Sequence, residues 1–271
     1  MAVAQKVVQQ DGEARPDGTV GLRQGVAPAR RSSVEDPDMG HGRKSRAQRG
    51  DGYKRHVLHD LDSSLGRVVG VTAANAPEAS VTPDLEADLA RQPVTLQECH
   101  LDRAYLSSTL VQERGPALTI FCKAWPVHQG PYLPKTAFHR DWARGVIQCP
   151  QHVEVPFTPG GVVQFPAQVC AACPLRAQCT ASARGRSVTI HPDEHLLEEL
   201  RARQLTPAGR AALRERVHAE HALAHIGAWQ GDRARYRGRR KNLFDLRRTT
   251  VVHNLHVLQR LPDVGNLPQA A

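Results

Sequence analysis

Residues 213–227 read LRERVHAEHALAHIG, and the reading of this stretch decides that of the whole chain. Leu213, Val217, Leu223 and Ala224 recur at three- and four-residue spacing, the period of a helix with one buried stripe. Glu220 falls within that stripe, and Arg216 lies one turn before it. A carboxylate on the buried side of a helix is costly unless a cation or hydrogen bonds satisfy it. In one reading Glu220 and Arg216 form a partly buried i,i+4 ion pair and nothing more. In the other, Glu220 points into a site and ligates a metal ion.

The chain has 271 residues, enough for one substantial core with a smaller module beside it. Hydrophobic residues make up 40% but aromatics only 4%, so the core must rest on Val, Leu, Ile and Ala. The formal charge of +9 suits a polyanionic partner, nucleic acid first. No run approaches the roughly 18 apolar residues of a membrane helix. The opening MAVAQKVVQQDGEARPDG lacks the apolar core of a signal peptide, so a cytoplasmic protein is expected. Four of the six cysteines crowd between 149 and 179, and in a reducing compartment that points to metal before disulfides.

Residues 1 to about 32 are polar and read as loop or disorder, with one short helix near Ala4 to Gln10. Arg43, Lys44, Arg46 and Arg49 form a basic arm, either solvated or in contact with phosphate. Tyr53 to Asp60 and Arg67 to Thr72 are β-type runs around a turn, which is a hairpin. Pro83 to Arg91 reads as a helix with Thr82 as its cap. Thr95 to Asp102 and Ala117 to Ala124 read as strands, with a helix at Ser107 to Arg114 between them. That order predicts an α/β sheet of mixed direction. After a Pro- and Gly-rich stretch containing the cysteines come a short strand at SVTIH and helices at Asp193 to Gln204 and Pro207 to Gly227. The second has Thr206 as its cap, and a last helix runs over Leu243 to Leu261.

Asp102, in HLDRAY, stands where an apolar strand ends, the place where ligands sit in α/β sheets. An Asp there also serves commonly as a turn former or helix cap. Paired with Glu220, it offers two carboxylates for hard divalent cations, which phosphodiester chemistry uses in pairs. Cys149, Cys170, Cys173 and Cys179 supply four thiolates with one C-x2-C pair, a set suited to a structural zinc, with His152 as a substitute ligand. The competing reading is four unrelated buried thiols. Cys99 and Cys122 read as core residues. His218, His221 and His225 fall on the helix face away from Glu220; His221 and His225 have the i,i+4 spacing of a metal pair but no third ligand is evident, so they read as solvated or DNA-facing. Arg233, Arg235, Arg237, Arg239, Arg240 and Lys241, with Tyr236 among them, suit phosphate clamping beside a phosphodiester site, against the alternative of a solvated loop.

HLDRAYLSS, then RERVHAEH about 120 residues later, then ARYRGRRKNLFDLRRTTVVHNL, resemble the C-terminal part of a DDE-type insertion-sequence transposase. SVEDPDMGHGRKSRAQRGDGYKRHVLHDLDSSLGRVVGVTAANAPE resembles the region before the second acid of the same family. The resemblance covers about residues 31 to 261. It implies an RNase H-like mixed sheet with flanking helices, interrupted here by a small cysteine-rich, zinc-ribbon-like insertion. It also implies metal-dependent DNA cleavage and strand transfer, with Mg2+ as catalytic cofactor and Zn2+ in the cysteine module. Transposon ends and target DNA are the implied partners, bound by a homo-oligomer. By this resemblance Asp102 matches the second acid, Glu220 the third, and Arg216 an arginine that orients Glu220. In the Y-x2-R-x3-E-x6-K signature a tyrosine would fall at Leu213 and a lysine at Gly227, and neither is present. Nothing before Tyr53 reads as a buried strand carrying the first acid; Asp60 or Asp62 is the alternative first acid, but both sit at the hairpin turn, where Asp commonly serves the turn itself. The expectation is therefore an amino-terminally truncated transposase, inactive alone. The alternatives are a non-catalytic DNA-binding or zinc-ribbon protein, or an inhibitor of the full-length enzyme. The expected layout is a polar and basic arm over 1–50, the first part of the core over 51–124 and the cysteine-rich insertion over 125–186. The second, helical part of the core follows over 187–261, then a tail over 262–271.

Overall fold

The computed structural model describes residues 2–24, 32–43, 49–127 and 130–260. The chain divides into two compact units: unit 1 holds residues 1–99, 104–119 and 215–271, and unit 2 holds 100–103 and 120–214.

Unit 1 begins with α1 (Ala2–Asp11) and the antiparallel pair β1 (Gly12–Ala14) and β2 (Val20–Leu22), within the stretch read from sequence as a polar arm. Its centre is the antiparallel sheet β3 (Gly40–Arg43), β4 (Arg49–His59) and β5 (Gly66–Ala73). The hairpin β4–β5 is the one expected, with Tyr53 opposite Ala73 and a register shift between Leu58 and His59. β5 is buried almost throughout because helices cover both its faces. That explains why GRVVGVTA reads as a continuous apolar run rather than an alternating one. On one face lies α2 (Thr82–Leu89), preceded by a 3-10 turn over Glu78–Val81. A Cβ on Gly70 would stand 2.4 Å from Val81 Cγ2, so only glycine admits this approach. Thr82 is the first residue of α2 rather than its cap: the 3-10 turn runs directly into the helix, and the Thr82 hydroxyl donates to the Ala79 carbonyl instead.

β6 (Glu98–His100), α3 (Thr109–Gln112) and β7 (Thr119–Phe121) follow. β6 and β7 form their own two-stranded sheet. The Thr119 N–H donates to the Gln97 carbonyl and the Leu101 N–H to that of Phe121, bonds that advance along both strands together, as in a parallel pair. Parallel and antiparallel pairings thus both occur in this α/β protein. The hairpin strands and the β6–β7 pair of the expected single mixed sheet nevertheless lie in two separate small sheets. β6 and β7 have only three residues each, and Pro93 and Gly115-Pro116 stand just before them, where a longer ladder would need backbone donors and an extended chain.

Unit 2 contains β8 (His139–Asp141), β9 (Val146–Gln148) and β10 (Glu154–Pro156) as one antiparallel sheet. β11 (Val162–Gln164) pairs antiparallel with β12 (Ser187–Thr189), and between them lie the short helices α4 (Ala167–Ala171) and α5 (Arg176–Cys179). Phe138, Ile147, Phe157, Val163, Phe165, Val188 and Ile190 make its core. α6 (Glu194–Leu205) is fastened by charge: the fully buried Glu194 accepts from Lys135, Arg201 and the His191 N–H. Glu198 accepts from Arg140 and Trp142. α7 (Pro207–Ala212) starts at the expected cap, with the Thr206 hydroxyl accepting the Gly209 N–H at 3.0 Å.

The chain returns to unit 1 through α8 (Arg216–Gln230) and α9 (Arg239–Arg260). The helix expected over 207–227 is thus broken at 213–215, where the chain leaves unit 2. Ile226 and Leu246 pack on Val69 and Val71, burying the second face of β5. The start of α9 is capped by the carboxylates of Asp36 and Asp38, which accept the N–H groups of Gly238 and Arg239. Negative charge at a helix N-terminus is favourable. Near the other end, Asn254 accepts the N–H of Gly66 and donates to its carbonyl, holding the hairpin neck.

Candidate functional site

Glu220 does not lie on the buried face of its helix. The buried residues of α8 are Ala222 and Ile226, whereas Val217 is 39% exposed and the Glu220 side chain 53% exposed. HAEHALAHIGAWQ offers two apolar stripes. The one containing Ile226 wins because that side chain fills the gap between Leu246 and the two valines of β5. Glu220 therefore carries no burial penalty, and it pairs with Arg216 at 2.7 Å across one helical turn.

Glu220 opens instead onto a cleft of about 500 Å³ whose walls include Arg55, Leu223, Gly227, Gly231 and Asp232. Arg55 comes from β4, on the strand that pairs with β5. Its Nη1 donates to Gln230 Oε1 at 3.1 Å and to the Gly231 carbonyl at 3.3 Å. Gln230 Nε2 in turn donates to the buried Asp245 carboxylate at 2.9 Å, which also accepts from Arg248 at 2.8 Å. Neither Arg55 nor Gln230 stood out in the sequence. The available signal was Gly227, a glycine inside a helix, which marks close approach by another group.

Asp102 is exposed, two residues past the end of β6 and just before the 3-10 turn at Arg103–Tyr105, so the strand-end position read from sequence is the observed one. It belongs to unit 2, and Glu220 and Arg216 to unit 1. Asp60 is committed to the hairpin turn: its carboxylate accepts the Asp62 N–H, the Ser63 hydroxyl and the Arg67 guanidinium. Burial raises its pKa, but the hydrogen bonds from Ser63 and Arg67 prevail and hold it at about 2. Among the described residues no three His, Cys, Asp or Glu side chains gather as a ligand set for a metal. Glu220 has the hard oxygen donors that Mg2+ takes, yet the set that two such ions need is not assembled around it.

The four cysteines of unit 2 share one cavity of about 230 Å³, together with Phe138, Phe165 and other apolar side chains. Cys149 follows β9 in the turn to β10, Cys170 lies in α4, Cys173 just after it, and Cys179 ends α5. Gly185, at φ +88°, passes so close that a Cβ there would stand 3.3 Å from the Cys170 sulfur. Arg186 lines the same cavity and donates to the carbonyls of Cys179 and Leu133. Burial raises the Cys179 thiol pKa, Arg186 opposes this, and the three neighbouring thiols add to the rise. His152, the substitute ligand read from sequence, is exposed in a turn at φ 62° and does not line the cavity.

Most of the remaining expected residues that the structure describes lie on the surface. Arg43 is exposed at the end of β3, and Lys44 and Arg46 fall outside the described residues. In the basic run Arg237 pairs with Glu35, and Arg239, the first residue of α9, with Asp84 at 3.7 Å. Arg235 donates to the Trp229 carbonyl. Arg233, Arg240 and Lys241 are exposed. The histidines of α8 diverge: His218 pairs with Glu215, His221 is exposed, and His225 meets His253 of α9 with Nδ1 atoms 3.1 Å apart. No helix among the described residues is long and apolar enough to cross a membrane.

Residues 149–259 match the family model described as "Transposase DDE domain". The resemblance to DDE-type transposases therefore holds over this stretch, which begins at Cys149 and contains all four clustered cysteines, Arg216, Glu220 and the basic run. Asp102 lies before it. No curated protein and no solved structure matches the chain.

Proposed function

Starting from that DDE transposase match over residues 149–259, we propose that the chain acts on DNA in transposition, through metal-dependent strand cleavage and transfer on an RNase H-like scaffold. The observation that carries this reading is the match itself, which spans Glu220 on a helix face open to a cleft that also contains an arginine. In this reading Glu220 would be a carboxylate ligand of Mg2+, held by Arg216 through the ion pair along α8, and Asp102 is the second acid that the resemblance assigns. A bound divalent cation would supply activation of the attacking hydroxyl and stabilisation of the leaving oxygen. The chain's own residues supply position. Exposed cations of the 233–241 run, with Arg43, Lys44 and Arg46, hold the DNA backbone and set its register without reading sequence. In this reading the cysteine module is structural, and Cys149, Cys170, Cys173 and Cys179, which line one cavity without closing on a common point, would draw together to hold zinc.

A second reading is a DNA-binding protein that does not cleave, including one that inhibits an active transposase. The commitment of Asp60 to its turn favours it, because one of the two candidates for a first acid is already engaged. The test is incubation of the purified chain with Mg2+ and duplex DNA carrying the sequences that flank its own coding region. Strand cleavage that is lost in Glu220→Gln and Asp102→Asn supports the enzyme. Binding without cleavage selects the second reading, and the absence of any binding overturns both.

A further inference from the structure

We propose that Arg55 is the residue that receives a backbone phosphate of DNA in the cleft beside Glu220, and that Gln230 and Asp245 hold it ready to do so. This inference rests on the DNA-acting reading above and adds to it a residue that neither the family match nor the sequence singled out.

Glu220 is matched by Arg216. The Arg55 guanidinium, on the wall of the same cleft, bonds only neutral acceptors, the amide oxygen of Gln230 and the carbonyl of Gly231. It makes no ion pair among the described residues, although the Asp232 carboxylate also lines the cleft, exposed at its rim. A guanidinium has five donors in a fixed fork. Two of its bonds anchor Arg55 through Nη1, which leaves the donors on Nη2 and Nε for an incoming phosphate oxygen.

Alignment is the next step. A carboxylate accepts only, so the buried Asp245 requires the NH2 side of the Gln230 amide. The amide oxygen must then face the other way, toward Arg55. Arg248 completes the relay by pairing with the second Asp245 oxygen. The direction of the Arg55 side chain is thereby set from inside the fold, which lowers the ordering cost of taking up a ligand.

Space is the third element. Gly227 presents bare backbone under the guanidinium, where even a Cβ would lie 3.5 Å from Arg55 Nη2. That is ordinary van der Waals contact, so the guanidinium lies directly over the helix backbone and a longer side chain at 227 would come up beside it.

The experiment measures affinity for a fluorescently labelled duplex of random sequence as a function of salt, using the full chain. Each phosphate neutralised adds about 0.9 to the slope of log K against log salt. Arg55→Gln is expected to flatten the slope by that amount, so that between about 50 and 200 mM salt it loses about 3.5-fold less affinity than the parent, having started from weaker binding. Adding Gly227→Lys to Arg55→Gln places a cation in the vacated space and is expected to restore the slope. An unchanged slope in Arg55→Gln, with the parent binding DNA, overturns this proposal alone. A parent that does not bind duplex DNA overturns the DNA-acting reading and this proposal with it. If Arg55→Gln does not fold, Gly227→Glu and Gly227→Gln decide. They have the same shape, but only the first neutralises Arg55, so a flatter slope for Glu supports the proposal and equal slopes overturn it.

Discussion

Asp60 has two conceivable roles, catalytic acid and turn anchor, and replacing it with asparagine separates them. The substitution keeps the shape of the side chain and removes its charge. In the folded chain the carboxyl is held at about 2 against an ordinary 3.8. That gap of about 1.8 corresponds to about 2.4 kcal/mol at 1.36 kcal/mol for each pKa unit. The Asp60 and Arg67 side chains are 23% and 32% exposed, so solvent screening reduces the expected loss to about 1–2 kcal/mol. Because the folded pKa is depressed, the stabilisation is complete above about pH 4 and disappears as the pH falls through about 2. Asp60→Asn should therefore unfold more easily than the parent at pH 7, and the two curves should converge near pH 2. Trp229 is the tryptophan of unit 1, while Trp125 and Trp142 belong to unit 2. Urea unfolding followed by Trp229 fluorescence in a Trp125→Phe, Trp142→Phe background thus reports the correct unit. Equal stability at pH 7, combined with loss of DNA cleavage, would refute the turn assignment and make Asp60 the first acid.

Three further outcomes are expected. Ile226→Ala should destabilise unit 1 by about 2–5 kcal/mol, while Val217→Ala, at a 39% exposed position, should cost far less; the reverse order in urea titrations would mean that α8 buries its other face. Zinc should copurify with the chain in equimolar amount by elemental analysis and be lost in Cys173→Ser; metal-free protein with an unchanged melting temperature would leave the four thiols as cavity lining only. His56 is lowered to about 4, by burial first and by Lys54 second. It should remain neutral at pH 6.5, and the stability tied to it should fall as the pH drops from about 6.5 toward 4. An NMR titration midpoint near 6.5 would contradict this.

The parts of the fold legible in sequence are those whose information is local. The β4–β5 hairpin shows in its apolar runs and in Asp60 at the turn. The Thr206 cap shows because Thr-Pro is followed at once by helix formers. The clustering of the cysteines on one cavity shows in their spacing. The unread parts depend on partners distant in sequence. Which stripe of α8 is buried is decided by Leu246, Val69 and Val71, none of which the helix itself reveals. Asp36 and Asp38 were quoted as part of a motif, yet their work is to cap a helix some 200 residues later, with bonds such as Gly238 N–H to Asp36. Burial raises the Asp36 pKa, but Tyr53 and the backbone N–H donors outweigh it and lower it overall. Thr82 does not cap α2, for a local reason: a 3-10 turn already occupies the residues before it. At the candidate site, Glu220 and Arg216 were legible as a pair, whereas Arg55 was hidden because its partners, Gln230 and Gly231, come 175 and 176 residues later.

Unit 1 is written in the chain in pieces, and its last pieces complete it. Val69 and Val71 of β5 are covered by Ile226 and Leu246, which are synthesised only after residues 120–214 have emerged and can form a unit of their own. At the usual rate of translation, about 5–20 residues per second, the delay between β5 and α9 is on the order of 10–30 s. For that time the hairpin stands on the ribosome with one apolar face open to chaperones or to neighbouring nascent chains. Nascent chains stalled far enough past residue 214 for that residue to have left the exit tunnel should therefore be protease-resistant in the cysteine module and sensitive across the hairpin, and chains released through Arg260 should be resistant in both. The order of synthesis makes the second unit to appear in sequence the first to be finished.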